Sequence, residues 1–249
     1  MFDIRDKESI FTDLNEKGYS AIPSKNLDTW LKARAEFFAL FDSRNKLQSL
    51  TDLEDGSFNQ VLIKKMEGHS GSSQNYIQKL ETIYIPNKSS EDSFKNLQDL
   101  AFSLLELQEW FFSFSEQDEL HQDYFPAFRI HCYADDGFMG EHSDTHYIKP
   151  RQGHPYPMVQ ICCPLSLYGK EFASGGFHLK NGKEVIFPEN NLNPGDVLLF
   201  NGALRHGVDP IGISDYVRAQ LFVGHFGKLS SAKTINANGI AFNDLWIEA

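Results

Sequence analysis

Apolar positions change period partway along the chain. From Leu27 to Phe41, the residues Leu27, Trp30, Leu31, Phe37, Phe38 and Phe41 recur near every 3.6 positions, which predicts a helix with one greasy face. A more strongly marked helix is predicted after Ser89 or Ser90, either of which can cap it. Glu91 and Asp92 suit its first turn, and Phe94, Leu97, Ala101, Leu104 and Phe111 form one stripe ending near Trp110 or a little past it. Between the two helices, Thr51 to Asn75 ends in the small, polar run EGHSGSSQN, which reads either as a mobile flap over a pocket or as an ordinary surface loop.

From Phe128 onward the period falls to two. Phe128, Ile130 and Cys132 alternate with Arg129, His131 and Tyr133, as in a strand whose faces meet different surroundings. MVQICCPLSLY, GGFHLKNGKEVIF, NPGDVLLFN (with a turn at Asn193 to Asp196) and YVRAQLFVGHF follow as further short strands. This spacing predicts a mainly β core, barrel or sandwich, with N-terminal helices against one outer face, an α+β chain overall. No repeat or linker divides its 249 residues, so a single domain is expected.

Composition narrows the partners. A net charge of −11 opposes binding to phosphate backbones and anionic membranes, so neither nucleic acid nor membrane is expected as a partner. The charged N-terminal stretch has no apolar run of the length a signal peptide or membrane span needs, and a cytoplasmic location is the expectation. Cys132, Cys162 and Cys163 are too few, and odd in number, for a disulfide framework; adjacent Cys162 and Cys163 should face opposite sides of one strand as small packing residues.

The candidate chemistry lies in the β half. In GEHSDTH, His142 and Asp144 are two apart and share a face if the segment is extended. His206 follows far along the chain in NPGDVLLFNGALRHGVDP, and Arg218 after it in YVRAQLFVG. Two imidazoles and one carboxylate on one side of a metal leave positions open, which suits non-heme Fe(II) rather than a closed structural zinc site. Arg218 shares a face with Gln220, while Val217, Ala219 and Leu221 lie on the other; a guanidinium pointing into a barrel needs an anion, and the alternative is an arginine salt-bridged at the rim for structure.

With RIHCYADDGFMGEHSD, SGGFHLKNG, NPGDVLLFNG, RHGVDP and RAQLFVG in this order, the stretch from about Arg129 to Phe226 resembles the Fe(II)/2-oxoglutarate-dependent dioxygenase superfamily, particularly its phytanoyl-CoA-hydroxylase-like and prolyl-hydroxylase-like branches. The resemblance implies a double-stranded β-helix, or jelly roll, over residues 126–228. Residues 1–125 would supply helical support and part of the sheet, and residues 229–249 a C-terminal tail. It implies His142, Asp144 and His206 as iron ligands and Arg218 as the holder of the distal carboxylate of 2-oxoglutarate. Tyr133 would be a phenol beside that cosubstrate, and the alternative for it, as for Arg129 and His131, is an ordinary buried hydrogen bonder. Gln160 is either a contact in the same pocket or a satisfied polar group of the core. His146 is read as a substrate contact or a solvent-facing residue at the strand end, and His131 and His178 as supporting or structural groups rather than ligands.

The implied reaction consumes O2 and 2-oxoglutarate, releases succinate and CO2, and hydroxylates an unactivated carbon of a small molecule. Asp144 stands where the related halogenases have a small residue, which favours hydroxylation. Desaturation, cyclisation and epoxidation use the same ligands. The competing readings are a protein or peptide hydroxylase on the same scaffold, a nucleic-acid demethylase, which the acidic balance disfavours, and a cupin-like metal-binding protein without 2-oxoglutarate chemistry.

Overall fold

Strand parity sorts nearly every apolar residue of the β half into one of two cores. The computed structural model describes residues 7–43, 62–69, 76–85, 94–112, 124–144 and 159–228. Its elements are α1 (Lys7–Glu16), β1 (Tyr19–Ile22), α2 (Leu27–Ser43), β2 (Leu62–His69), β3 (Ile77–Ile85), α3 (Lys95–Phe112), β4 (Tyr124–Tyr133), β5 (Phe138–His142), β6 (Val159–Pro164), β7 (Gly176–Asn181), β8 (Glu184–Ile186), β9 (Val197–Asn201), β10 (Arg205–Asp209) and β11 (Arg218–Lys228), with a short 3-10 helix at Pro188–Asn191. All strand pairings are antiparallel, in the order β1-β9-β6-β11-β4-β3-β5-β10-β7-β8, with β2 added along β3. The sheet curls into a jelly roll in which β1, β9, β6, β11 and β4 form one wall and β5, β10, β7 and β8 the other, and β3 pairs with both.

Helices cover the outer face of the first wall. Phe128, Ile130 and Cys132 of β4, Ile161 and Cys163 of β6, Val197 and Leu199 of β9, and Ala219, Leu221 and Val223 of β11 pack there against Trp30, Phe37 and Phe41 of α2 and Leu97, Leu104 and Phe111 of α3. Full burial of each large apolar side chain contributes about 1.5–3 kcal/mol. The alternate residues Tyr133, Cys162, Leu198, Phe200 and Phe222 point the other way and, with Leu80, Phe177, Leu179 and Val208, line the barrel interior. Cys162 and Cys163 thus lie on opposite faces, as alternation predicts.

Polar contacts fix how the helices dock. The Trp30 indole donates to the Pro164 carbonyl at 2.8 Å, and Arg34 pairs with Glu171. Asn26 caps α2 by accepting from the Thr29 amide at 3.4 Å, and Glu36 of α2 accepts from the Leu97 amide in the first turn of α3 at 2.7 Å. Ser89 to Asp92, the expected cap of this helix, lie outside the described residues. Its stripe is buried as predicted at Leu97, Ala101, Leu104 and Phe111. The predicted turn at Asn193 is present, with the Asp196 amide donating to Asn193 O at 3.1 Å.

Two expectations need correction. Leu27 and Leu31 are 45% and 48% exposed, because α2 buries the stripe Trp30, Ala33, Phe37, Leu40 and Phe41, and both leucines fall outside it. Within the segment expected to be a flap or loop, Leu62–His69 is a strand paired with β3 from end to end. LIKKMEGH has no apolar alternation; Ile63 and Met66 are only partly buried against the cores, and the strand is defined by its pairing along β3.

Candidate metal centre and the barrel interior

The two imidazoles reach one another through strand pairing. His206, the second residue of β10, lies directly opposite His142, the last residue of β5. A β-carbon on the next residue, Gly207, would stand 2.8 Å from the Met139 carbonyl, so glycine permits β10 and β5 to approach this closely. Upstream, Asp135 and Asp136 adopt left-handed backbone (φ 50° and 65°) in the turn that carries β4 into β5. Asp144 lies just past the end of β5, held by its own amide, which donates to Gly202 O at 2.8 Å.

His142, Asp144 and His206 each offer a ligand atom, and these atoms all lie within 4.8 Å of one another; this is the one such group among the described residues. All three side chains are buried. His142 Nε2 is 3.6 Å from one oxygen of Asp144 and His206 Nε2 is 3.4 Å from the other. A carbonyl oxygen can only accept, so His142 Nδ1 donates to Gly140 O at 2.8 Å and His206 Nδ1 donates to Leu204 O at 2.9 Å. In the neutral rings this leaves both Nε2 lone pairs aimed at the shared centre, the tautomer a metal ligand requires. The donor set, two nitrogens and one carboxylate, therefore fits a divalent iron with open positions.

Electrostatics at this centre favour a cation. Burial works against the charge of Asp144, but in the metal-free protein the His206 and His142 rings, when protonated, and a hydrogen bond from the Gln160 amide (3.0 Å) outweigh it and bring the carboxyl down to about 2, so a metal displaces ring protons and meets a carboxylate already ionised. Gln160 is buried, and its partner is Asp144. Tyr76 stacks on the His142 ring, with centroids 4.0 Å apart and planes 12° from parallel, and Phe200 lies 5.1 Å from the His206 ring.

A second polar cluster occupies the same interior surface. Arg218 is 1% exposed and stands directly across from Tyr133, its guanidinium 5.0 Å from the phenol ring centre. Burial raises the Tyr133 phenol well above its usual range, so it stays protonated, with a weak contact to Met139 Sδ at 3.8 Å. Arg218 Nε donates to both oxygens of Glu189, at 3.1 and 2.9 Å, and Gln220 donates to the same carboxylate. The anion that a buried guanidinium demands is thus supplied, in part, from within the chain. Glu189, in the stretch PENN, carries no motif or periodicity that would have singled it out.

The remaining candidates disperse. Arg129 and His131 face inward on β4 with Tyr133; Arg129 lies over Phe222 at 5.7 Å, and burial holds the His131 imidazole far below its usual value, hence neutral. His178 faces outward, 3.0 Å from Asp209, into a cavity of about 410 Å³ that it shares with Glu141 and Lys180 and that none of the triad lines. His146 lies outside the described residues.

No protein-family model matches the chain, and no curated protein matches it. Solved structures do. A prolyl-4-hydroxylase from Pseudomonas putida superposes with a TM-score of 0.51 at 14% identity, covering 87% of this chain and 96% of that one. An oxidoreductase of the 2OG-Fe(II) oxygenase family from Burkholderia pseudomallei gives 0.45 at 15%, covering 92% and 95%. A prolyl hydroxylase from Trichoplax adhaerens, in complex with a hypoxia inducible factor peptide, gives 0.49 at 15%, covering 92% and 91%. At such identity the likeness to the P. putida enzyme speaks to fold alone, and that fold, the double-stranded β-helix of the 2OG-Fe(II) oxygenases, here carries a His-x-Asp and distal His triad at its centre.

Proposed function

We propose that the protein is an Fe(II)- and 2-oxoglutarate-dependent oxygenase that hydroxylates an unactivated carbon of a small molecule. The observation that carries this reading is the meeting of His142, Asp144 and His206 on the same barrel interior as a buried arginine. When bound, iron and 2-oxoglutarate supply the oxidation, in which one oxygen atom of O2 enters the substrate and the other enters succinate as CO2 leaves.

The chain's own residues bind, orient and exclude. His142 and His206 present Nε2 because their Nδ1 atoms are tied to backbone carbonyls. Gln160 holds the plane of the Asp144 carboxylate. The Nη atoms of Arg218 make no hydrogen bond among the described residues and are available to a cosubstrate carboxylate, with the protonated Tyr133 phenol beside them. Leu198, Phe200, Phe177 and Phe222 wall the interior with apolar surface, which keeps water from the centre.

A small substrate is favoured over a peptide in this reading because each ligand is at most 6% exposed, which leaves little open surface at the centre for a chain to lie against. The test is succinate release from 2-oxoglutarate with Fe(II), measured across panels of small carboxylic acids, amino acids and proline-containing peptides, with oxygenated product identified by mass. Turnover confined to small molecules is the expected result. Turnover on peptides alone moves the assignment to a peptide hydroxylase. No iron-dependent succinate with any substrate, together with tight binding of another metal, leaves the cupin-like reading.

A further inference from the structure

Arg218 is not a bare cation waiting for an anion. Glu189, 6% exposed, sits on the short 3-10 helix between β8 and β9 and accepts from three directions: Arg218 Nε, the Phe177 backbone amide at 2.8 Å, and the Gln220 side chain. Gln220 is steadied in turn by the Cys162 thiol, which donates to its Oε1 at 3.4 Å. Room for the carboxylate comes from Gly176, where φ is +104° and an added Cβ would lie 3.2 Å from Glu189 Oε2. Every hydrogen bond of the guanidinium runs through Nε, on one edge, and the opposite Nη edge makes none among the described residues.

We propose that Glu189 is a resident counter-ion that competes with the 2-oxo acid for Arg218 and so sets how tightly the cosubstrate is held. The inference rests on the oxygenase reading. Burial disfavours the charge on Arg218, and the Glu189 carboxylate more than offsets this, so the buried guanidinium is stabilised when no ligand is bound. A cosubstrate carboxylate on the Nη edge then shares one cation with Glu189, and the two like charges repel across a medium of low dielectric. Glu189 thereby keeps the arginine in place and charged while holding the cosubstrate exchangeable. It is a positioning residue: it acts through Arg218, and its charge, not its shape alone, carries the effect.

The experiment is calorimetric titration of 2-oxoglutarate into the Mn(II)-loaded protein under anaerobic conditions, for the wild type and Glu189→Gln. Tighter binding by the folded variant, by about tenfold, is expected from removal of the repelling charge; a purely structural role predicts weaker binding. Equal or weaker binding by a folded Glu189→Gln overturns the proposal. A second measurement needs no variant: the 5-methyl ester of 2-oxoglutarate, whose distal group is neutral and cannot cyclise onto the keto group, should bind the wild type less than about tenfold more weakly than 2-oxoglutarate, because Arg218 is already neutralised. A loss of about a hundredfold or more overturns the proposal even if the variant does not fold. Failure of the wild type to bind 2-oxoglutarate at all is a different result, and it removes the oxygenase reading together with this one.

Discussion

The jelly-roll interior holds two charged clusters that are built in opposite ways. At the metal centre, His142, Asp144 and His206 bring an anion and two lone pairs together, and among the described residues no Lys or Arg forms an ion pair with Asp144. At the other cluster, a cation arrives with its own carboxylate, and that carboxylate is further bonded by a backbone amide and a glutamine. The first is complete only when a metal arrives. The second is complete when empty, and a ligand must compete for it. Removing one member should therefore cost function at the first site and stability at the second.

The largest expected effect follows from Asp144→Ala, which should lower metal binding and turnover by at least about a thousandfold while the thermal transition of the metal-free protein shifts little. Metal titration beside a melting curve checks it, and full activity in the variant would remove the triad assignment. Next, Arg218→Ala strands the buried Glu189 carboxylate and should cost about 3–5 kcal/mol of stability in denaturant unfolding, along with weakened cosubstrate binding. Combining Arg218→Met with Glu189→Gln should recover most of that stability but none of the binding, which separates the two roles of the pair. Gln160→Leu should reduce metal affinity about ten- to a hundredfold with the fold intact, since it frees the Asp144 carboxylate to rotate. The smallest effect belongs outside both clusters, at Asp215, whose carboxylate accepts from the Ala173, Ser174 and Gly212 amides and the Ser174 hydroxyl. Burial opposes its charge, but these hydrogen bonds hold its carboxyl below the usual range. Its contribution is thus present above the ordinary aspartate value and lost as pH falls through the depressed one; Asp215→Ala should cost about 1–2 kcal/mol near neutrality and almost nothing in strong acid.

The contrast also explains what could be read from residues alone. Parity on β4 and β11, and at the Cys162–Cys163 pair of β6, was legible because these strands bury one face against helices and the other inside the barrel, so Ile130 and His131, or Cys163 and Cys162, had to part. The triad was legible because metal chemistry restricts both residue type and spacing. β2 was not, because LIKKMEGH becomes a strand by pairing along β3, and such pairing leaves no period in a sequence. Leu27 and Leu31 misled for a related reason: apolar residues near a helical stripe still belong to solvent when nothing packs over them. Glu189 was hidden most completely. Its burial is made tolerable by donors from β7 and β11, and no local pattern around PENN announces them. The rule that a buried guanidinium needs an anion held, but its bearer came from the chain itself.

Direct pairing of His206 with His142 has a consequence for assembly. The two strands are remote in sequence, so the imidazoles become neighbours only after the long intervening segment has closed on itself, late in the search for the native topology. A cation captured between them acts as a clasp on that closure, and its binding energy is added to the cohesion of the whole roll. Chelation should therefore loosen β5 and β10 before any other part of the wall, and amide exchange on those two strands would register the metal's departure first.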